Sequence, residues 1–374
     1  MALTKLNVRS ISGDITADQL DVGQLGGRRN LIINGAMQVA QRGTSTASVS
    51  TTQYPSCDRW RFFTQTAATA VFTVSQDTDV PTSQGFAKST KVDVTTAYAY
   101  GTASHYTFLN YRFEGQDVQG LKKGSSNAEQ ITVSFWVKSP KTGVHVVELE
   151  DADNSRYCSQ AYTIATADTW ENHTVTFPAD TTGTLDNDNN HSLSLNFWLA
   201  SGTNYTSGTL GTTWHTTATN RAAGQVNVVD NTANNFYLTG VQLEVGSVAT
   251  PFEHRSYGES LALCQRYYQV GNMQGSSFVG SGGNAIAGNW SLPVEMRSTP
   301  TVNTLSTVPA YYNIFRPGTG NGCNSVPTTL NLSTTGSTVC LELTPSSGWQ
   351  YTPAANDVWA GRNGVGTFSF DSEL

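Results

Sequence analysis

Four acidic residues, Glu148, Glu150, Asp151 and Asp153, lie close together in the sequence. Paired carboxylates can act as acid and base in the cleavage of glycosidic bonds. Strand alternation places Glu148 and Glu150 on one face, whereas Asp151 and Asp153 fall in a turn. No G-x-S-x-G motif, Ser–His–Asp block or glycine-rich phosphate loop accompanies them. We therefore predict a surface acidic cluster and assign no catalytic residue.

A second acidic run, DNDNN at residues 186–190, has the side-chain chemistry of a cation loop. Carboxylate and amide oxygens are the ligands that Ca²⁺ prefers. The run lacks the D-x-D-x-D-G frame and the distant Glu of an EF-hand, so we favour a hydrated turn. Ca²⁺ at Asp186 and Asp188 remains the alternative. The six histidines form no H-x-H or H-E-x-x-H motif, so no metal site is predicted from them.

The five cysteines are odd in number and show no C-x-x-C spacing, which disfavours a zinc site. A complete set of disulfides within one chain is also excluded. We favour buried free thiols and keep one disulfide, Cys323–Cys340, as the alternative. The set consists of Cys57, Cys158, Cys264, Cys323 and Cys340.

Short segments of alternating polarity follow one another from residue 30 to residue 255, separated by turns rich in Gly, Asn and Asp. This pattern is typical of a β-sandwich or barrel. Long amphipathic stretches do not alternate with these segments, which excludes a parallel α/β fold. The clearest segments are 133–138, 144–149, 174–177, 193–199 and 236–243.

One helix is predicted, over residues 256–270. Ser256 and Glu259 form an S-x-x-E capping box before an apolar run. Leu261, Cys264 and Tyr268 share one stripe of such a helix. Residues 271–374 return to short strands with dense turns, which predicts a small C-terminal β domain.

The composition supports an all-β chain with polar surfaces. Only 13% of the residues are charged, and the sequence is rich in Thr, Ser, Asn and Gly. The net charge is −7, with the acidic excess in residues 143–374, so nucleic-acid binding is excluded. No stretch is long enough to insert into a membrane, and the start of the chain lacks a secretory signal, which predicts synthesis and assembly in a cytosol.

Residues 1–29 read as an arm and not as a domain. Apolar residues such as Leu3, Leu6, Ile11 and Leu20 have no partner nearby in sequence, and Gly26 and Gly27 follow as a hinge. A disordered terminus and a segment ordered against another chain both remain open.

Two motifs frame residues 30–244: N-L-x-x-N-G at Asn30–Gly35 and F-Y-x-x-x-V-x-L-E at Phe236–Glu244. With Trp60 and Trp170 between them, they resemble the frame of β-sandwich carbohydrate-binding modules. The resemblance implies a jelly-roll domain that binds glycans in a groove or on loops. Gly240 stands where that family commonly has an acidic residue. We therefore do not predict the family's structural calcium ion in this chain.

Three further blocks resemble bacteriophage tail-fibre and receptor-binding proteins: NLIINGAMQVAQRGTST at 30–46, Asp58-Arg59-Trp60, and TGVQLEVGSVATPFEHRSYGESLALCQRYYQ around 240–268. The resemblance implies a homotrimeric adhesin whose arm joins other tail or virion proteins. It also implies anchor or oligomer contacts for the apolar residues of the arm and the helix. These contacts would be made by Leu3, Leu6, Ile11, Leu20, Leu261, Cys264 and Tyr268.

Aromatic residues in polar loops are the candidate contacts for host-surface polysaccharide, because a ring face stacks on the apolar face of a sugar. Strand aromatics such as Phe135 and Phe197 are expected in the core. For any single loop aromatic, an anchor that packs its own loop is the favoured interpretation. The candidates are Tyr98, Tyr100, Tyr205, Trp214 and His215, with a distal pair, Trp349 and Tyr351.

The sequence thus predicts an all-β jelly-roll sandwich, a linking helix and a small C-terminal β domain. The functional hypothesis is a virion tail fibre that attaches phage to host glycan without changing it. A glycan depolymerase and a purely architectural virion protein are the alternatives.

Overall fold

The computed structural model describes residues 28–374 except 67–68, 273, 277, 280–285, 305–311, 317–318, 323–326, 336–337, 346–357 and 362–366. Side chains are described outside 272–291 and 304–367. The chain forms two units, which divide near residue 255. Two short segments of the predicted first domain, Gln38–Thr44 and Ser56–Arg59, group with the second unit. The predicted arm, including Leu3, Leu6, Ile11 and Leu20, lies outside the described residues.

The described residues of the first unit form eleven strands and four short helical segments. The helical segments are the 3₁₀ helices Gly115–Leu121, Ala218–Asn220 and Val228–Asp230, and helix α1 at Thr203–Thr206. The strands are β1 Ser45–Val49, β2 Trp60–Gln65, β3 Val71–Asp77, β4 Ser89–Thr96, β5 Tyr106–Glu114, β6 Ile131–Lys138, β7 Gly143–Asp151, β8 Arg156–Ile164, β9 Glu171–Phe177, β10 His191–Ser201 and β11 Asn235–Val245.

These strands form two antiparallel sheets, which confirms the predicted all-β sandwich. The first sheet has the order β1-β3-β4-β11-β6-β9, and the second has the order β2-β5-β10-β7-β8. Alternation is visible in β2, where Trp60 and Phe62 are buried and Arg61 and Phe63 are partly exposed. Because side chains alternate along each strand, every strand presents one set to the core and the other outward.

Aromatic rings from both sheets build the core between them. Phe62 of the second sheet lies 4.7 Å from Phe72 of the first, measured between ring centroids. Phe135 and Phe197 meet edge to face at 5.0 Å, and both are fully buried. The prediction that Phe135 and Phe197 are core residues is confirmed. Such pairs add to the free energy gained by burying apolar area.

The two framing motifs of the sequence meet and close the sandwich. The side chain of Asn30 donates to Val241 O (3.1 Å) and accepts from the backbone N–H of Leu243 (3.1 Å). Gly240 has φ 61°, and a Cβ there would lie 2.6 Å from the Phe86 ring. Glycine is therefore required in this bulge of β11, which explains why no acidic residue stands there.

In the second unit, the part of the chain that the structure describes forms helix α2 at Tyr257–Gln265 and eleven strands in three antiparallel sheets. The sheet orders are β12-β22-β16, β13-β21-β17-β18 and β14-β15-β20-β19. The strands are β12 Tyr268–Asn272, β13 Gln274–Ser276, β14 Phe278–Val279, β15 Ile286–Ser291, β16 Thr301–Thr304, β17 Tyr312–Arg316, β18 Thr319–Gly322, β19 Pro327–Thr335, β20 Thr338–Pro345, β21 Val358–Gly361 and β22 Thr367–Asp371.

Helix α2 begins as predicted but ends earlier. Ser256 Oγ accepts a hydrogen bond from the backbone N–H of Glu259 at 3.2 Å, which is the predicted N-cap. The prediction of helix to residue 270 was wrong, because Tyr268 belongs to β12 and pairs with Asp371 of β22. Cross-strand pairing with the end of the chain outcompetes the last helical turn.

The stripe of helix residues that the phage resemblance assigns to contacts with another chain is largely buried within this one. Cys264 is fully buried and Tyr268 is 5% exposed, whereas Leu261 is half-buried. The guanidinium of Arg42 lies 3.7 Å from the centre of the Tyr268 ring, so residues of the same unit cover it. The chain itself therefore covers two of the three side chains expected to contact another copy.

Three of the five cysteines lie among the described side chains. Cys57, Cys158 and Cys264 are buried free thiols, as predicted. Cys323 lies outside the described residues, and the side chain of Cys340 is not described. No helix in the described part of the chain is long and apolar enough to cross a membrane.

Candidate functional site

A row of polar side chains crosses the second sheet on the side away from the core. Strand register places these residues opposite one another on five successive strands. Since paired positions share a face, the row is continuous from one sheet edge to the other. We call it the polar row; its members are Arg61, Asn110, Asn196, Glu148 and Ser159.

An aromatic and apolar row runs beside it on the same face. Phe63 stacks on Phe108 at 4.8 Å between ring centroids and on Tyr106 at 5.0 Å, with planes 21° and 20° apart. We call this the aromatic row; by register it consists of Phe63, Phe108, Trp198, Val146 and Ala161. On the other side of the polar row lie Arg112, Ser194, Glu150 and Tyr157. The three rows and Tyr106 together form what we call the outer face.

A loop comprising residues 202–224 covers one end of the outer face. Tyr205 packs on Tyr106 at 4.7 Å and on Trp198 at 5.6 Å, and Ala222 joins the same cluster. Trp198 and Ala222 are fully buried, whereas Phe63, Tyr106 and Tyr205 remain partly exposed. The loop therefore leaves aromatic ring surface open beside β2 and β5.

One ion pair holds the middle of the polar row rigid. Arg221 reaches from the loop and donates to both oxygens of Glu148, at 2.9 and 2.7 Å. Asn196 donates to Glu148 at 2.9 Å and to Glu150 at 3.0 Å. Burial alone would lower the pKa of Arg221, but the adjacent Glu148 carboxylate raises it, so this guanidinium stays charged. The network fixes Asn196 and Glu150 in place.

Several polar atoms of the outer face have no hydrogen-bond partner among the described residues. They are Arg61 Nη1, Asn110 Oδ1, Asn196 Oδ1 and Trp198 Nε1. Asn110 is 2% exposed and Asn196 is fully buried, so solvent does not readily satisfy them. A buried polar group without a partner costs about 1–3 kcal/mol of stability. These four atoms leave donors and acceptors of the outer face that no described residue uses.

The chemistry of this face suits a polyhydroxylated ring. Phe63 and Tyr106 offer ring surface for stacking, and a guanidinium and two carboxamides lie next to them. Apolar surface with a few polar groups beside it is typical of small-molecule sites. The outer face is accordingly the candidate site of the molecule.

Of the predicted glycan contacts that the structure describes, only Tyr205 lies at this face. Tyr98 and Tyr100 lie in another loop, 5.0 Å apart between ring centroids. The Tyr98 hydroxyl donates to Thr102 at 3.0 Å, and Tyr100 is 6% exposed with its hydroxyl bonded to Thr107. Tyr100 is thus a loop anchor and not an exposed contact, because its hydroxyl finds a buried partner.

Trp214 and His215 lie beyond the edge strand β8. Trp214 Nε1 donates to Pro178 O at 2.8 Å, and the ammonium of Lys123 lies 4.6 Å from its ring centre. His215 exchanges backbone hydrogen bonds with Tyr157, so it extends the sheet. Both residues hold the 202–224 loop in place. The distal pair, Trp349 and Tyr351, lies outside the described residues.

The prediction of a surface acidic cluster was wrong for two of its four members. Glu148 and Asp151 are both fully buried. Glu148 belongs to the polar row, and Asp151 pairs with Lys123, so each buried carboxylate meets its own cation. Periodicity placed Glu148 and Glu150 on one face correctly, but the cations come from residues distant in sequence.

The acidic run at 186–190 forms a hydrogen-bonded turn. Asp188 accepts from the backbone N–H of Asn190 at 2.9 Å and from its side chain at 2.5 Å. The backbone N–H of Asp186 donates to Asp153 at 2.9 Å. Within the described residues no group of three His, Cys, Asp or Glu side chains converges as a metal site. Ca²⁺ at Asp186 and Asp188 stays an untested prediction.

Sequence reasoning missed Arg61, Asn110 and Asn196 altogether. The alternation in β2 carried a signal, because Arg61 and Phe63 occupy the positions between Trp60 and Phe62. The polar row depends on register between strands that are far apart in sequence, and no local pattern encodes that register.

Comparison with models of protein families finds no match, and comparison with curated proteins finds none either. Among solved structures, one similar chain is the enzymatically active domain of tailspike protein 4 from bacteriophage CBA120. It is 13% identical with a TM-score of 0.30, and the match covers 58% of this chain and 21% of that one. This chain therefore spans about a fifth of that structure.

Two sugar-binding structures are similar at the same level. A putative sugar binding protein from Bacteroides thetaiotaomicron is 12% identical, with a TM-score of 0.31 and coverage of 58% of this chain and 100% of that one. A family 11 carbohydrate-binding module from Clostridium thermocellum, in complex with a mixed-linked tetrasaccharide, is 13% identical with a TM-score of 0.28, covering 55% and 98%. Likeness at this level says nothing about ligand or activity, which depend on the side chains described above.

Proposed function

We propose that the first unit binds a glycan on its outer face. The observation that carries this proposal is the coincidence of four partnerless polar atoms with the Phe63–Tyr106 stack on one side of one sheet. A saccharide supplies hydroxyl donors and acceptors for the polar row and apolar ring faces for the aromatic row.

We further propose that the protein binds its glycan without cleaving it. The two carboxylates of the outer face, Glu148 and Glu150, both accept hydrogen bonds from Arg221 and Asn196. Burial raises the pKa of Glu148, but Arg221 opposes this rise and occupies both carboxylate oxygens, so Glu148 has no oxygen left to protonate a glycosidic bond. This environment favours a binding role over the paired acid and base of a hydrolase.

At the level of the organism, the proposal is a virion tail fibre that attaches a phage to host-surface polysaccharide. The sequence blocks that resemble phage receptor-binding proteins support it, as does the apolar arm at residues 1–29. Assembly as a homotrimer and attachment of the arm to other virion proteins belong to the same proposal. Several weak sites per fibre would raise the avidity of adsorption.

The binding site is tested by a pair of tyrosine variants. Tyr106→Ala removes one of the two rings of the Phe63–Tyr106 stack. Tyr98→Ala removes a ring that the sequence predicts as a glycan contact but that lies in another loop. With a polysaccharide selected from a glycan array, we expect Tyr106→Ala to weaken affinity about tenfold or more, on the scale of one lost stacking contact, and Tyr98→Ala to leave it unchanged. The reverse order, or loss in neither variant, would contradict the proposed site. Thermal unfolding of both variants verifies that each is folded.

The wider proposal is tested by adsorption and by chemistry. Purified protein is expected to block phage adsorption to its host, and incubation with the bound polysaccharide is expected to release no new reducing ends. Released oligosaccharide would establish the depolymerase instead.

A chain lacking residues 1–29 is expected to fold and bind glycan but to be missing from virions. Aggregation of that chain would show that the arm belongs to the folded body.

A further inference from the structure

Arg61 is partly exposed and, unlike Arg221 and Lys123, has no carboxylate partner among the described residues. Its Nη1 is buried and has no hydrogen-bond partner, and the guanidinium makes no ion pair with any described residue. The guanidinium lies 4.9 Å from the centre of the Phe63 ring. Arg221, on the same face, has two carboxylates, and Lys123 also has two.

The surroundings of Arg61 are positively charged. Arg112 lies two residues beyond Asn110, the direct partner of Arg61 across the strands, so the two guanidinium groups are diagonal neighbours. Burial, together with this second cation, lowers the pKa of Arg61 to about 10. The groups that oppose this shift are the Tyr54 and Tyr106 phenols and, last, the Glu150 carboxylate. A half-buried guanidinium in such a place favours any anion that reaches it.

Ring surface lies next to the charge. Phe63, which contacts Arg61, also stacks on Tyr106, and both rings are partly exposed. A sugar that stacks on these rings brings its substituents within reach of Arg61 and of Asn110 Oδ1. The planar guanidinium fork matches the oxygens of a carboxylate or a sulfate, and such charge-assisted bonds are about twice as strong as neutral ones.

We propose that Arg61 binds an oxyanion, a carboxylate or a sulfate, carried by the glycan of the outer face. The protein would thereby select acidic polysaccharides over neutral ones. This inference rests on the proposed function, because it names the class of glycan that the same face takes.

The first test compares glycans that differ only in charge. A glycan array is supplemented with matched pairs: polygalacturonate and its methyl ester, alginate and carboxyl-reduced alginate, and dextran sulfate and dextran. We expect binding to an acidic glycan that falls about tenfold or more in its neutral counterpart, on the scale of one charge-assisted bidentate contact. Loss on esterification or reduction identifies a carboxylate, and loss on desulfation identifies a sulfate. A neutral counterpart that binds as well as its acidic form would overturn the inference and leave glycan binding intact, whereas no binding to any glycan would contradict both.

The second test removes the charge from the protein. Arg61→Gln is expected to abolish the preference for the acidic member of each pair, and Arg61→Lys to restore part of it. Lys122→Gln is the matched control. This substitution also removes one positive charge, but at an exposed side chain that pairs with Glu129. Because Arg61 has no ion pair to lose, the melting temperature of Arg61→Gln is expected to match or exceed that of the wild type. Equal preference in Arg61→Gln and the control would overturn the assignment of Arg61.

Discussion

Two clusters of polar side chains in the first unit differ in how fully their hydrogen bonds are satisfied. The first cluster, which we call the lysine cluster, joins the ends of β7 and β8 to the 180–184 turn. Lys123 pairs with Asp151 and Asp180, and Arg156 holds Asp180 at 2.9 and 3.0 Å. Asn154 donates to both oxygens of Asp151. In the polar row of the outer face, by contrast, Arg61 Nη1, Asn110 Oδ1 and Asn196 Oδ1 have no partner among the described residues.

The difference separates a structural cluster from a binding face. The lysine cluster balances its charges internally and therefore needs no ligand. The polar row has unused donors and acceptors beside partly exposed rings, and each buried unsatisfied group costs stability unless a ligand pairs with it. Completeness of hydrogen bonding is thus more informative here than the number of acidic residues.

The largest expected effect comes from breaking the lysine cluster. Lys123→Met leaves the buried carboxylate of Asp151 without its cation, while Asp180 keeps only Arg156. This change is expected to lower the free energy of unfolding by about 3–5 kcal/mol. Glycan affinity of the folded protein is expected to stay unchanged. Lys122→Met is the control, because its exposed pair with Glu129 contributes about 0–1 kcal/mol. Denaturant unfolding measures both, and a small loss in Lys123→Met would remove the distinction between the clusters.

A buried partnerless atom marks a ligand site only on a face that a ligand can reach, and His145 tests this limit. Its Nδ1 also lacks a partner within the part of the chain that the structure describes, but its ring faces the core, stacked on Tyr162 at 5.5 Å. Burial lowers the pKa of His145 to about 4, below the unfolded value near 6.5. The unfolded chain therefore takes up a proton first, and stability is lost as pH falls from about 6.5 towards 4.

For His145→Gln, we expect the difference in stability between pH 7 and pH 4 to shrink by about 3 kcal/mol relative to the wild type. Glycan affinity at pH 7 is expected to be the same in both proteins. Equal acid sensitivity of the two proteins would show that His145 is not held neutral.

Asn110 and Asn196 both belong to the polar row but differ in the hydrogen bonds that their side chains make within the fold. Asn110→Leu removes an acceptor that the fold does not use, so affinity is expected to fall about tenfold while unfolding changes by less than about 1 kcal/mol. Asn196→Leu also breaks the bonds to Glu148 and Glu150 and is expected to lower both affinity and stability. Isothermal titration and thermal unfolding separate the two outcomes. Stability loss without affinity loss in Asn110→Leu would make Asn110 a structural residue.

The smallest expected effect concerns Trp214. Trp214→Phe keeps the ring beside Lys123 and removes only the hydrogen bond to Pro178. We expect a loss of about 1 kcal/mol in unfolding and no change in affinity. A loss of affinity alone would return Trp214 to the glycan contacts that sequence analysis proposed.

Much of the fold could be predicted from the sequence, because it depends on local signals. Alternation identified strands such as β6 and β11, and the Ser256 cap located the start of helix α2. The end of that helix was missed because Tyr268 pairs with β22, about a hundred residues away. Local propensity does not register a competitor so distant along the chain.

The candidate site could be predicted far less well. The loop aromatics were predicted to be exposed rings. Tyr100 is instead buried, with its hydroxyl bonded to Thr107, and Trp214 donates a hydrogen bond to Pro178 O. The polar row joins residues from five strands, and only the register of the sheet reveals that Arg61 and Glu148 share a face. Which polar atoms remain without a partner is a property of the packed structure alone.

The most direct test of glycan binding by the outer face is a crystal structure of the protein with a bound oligosaccharide from the array. The sugar is expected to stack on Phe63 and Tyr106, with oxygens within about 3.2 Å of Arg61 Nη1 and Asn110 Oδ1. A sugar bound instead at the Tyr98 loop or beside Trp214, with the outer face empty, would contradict the account.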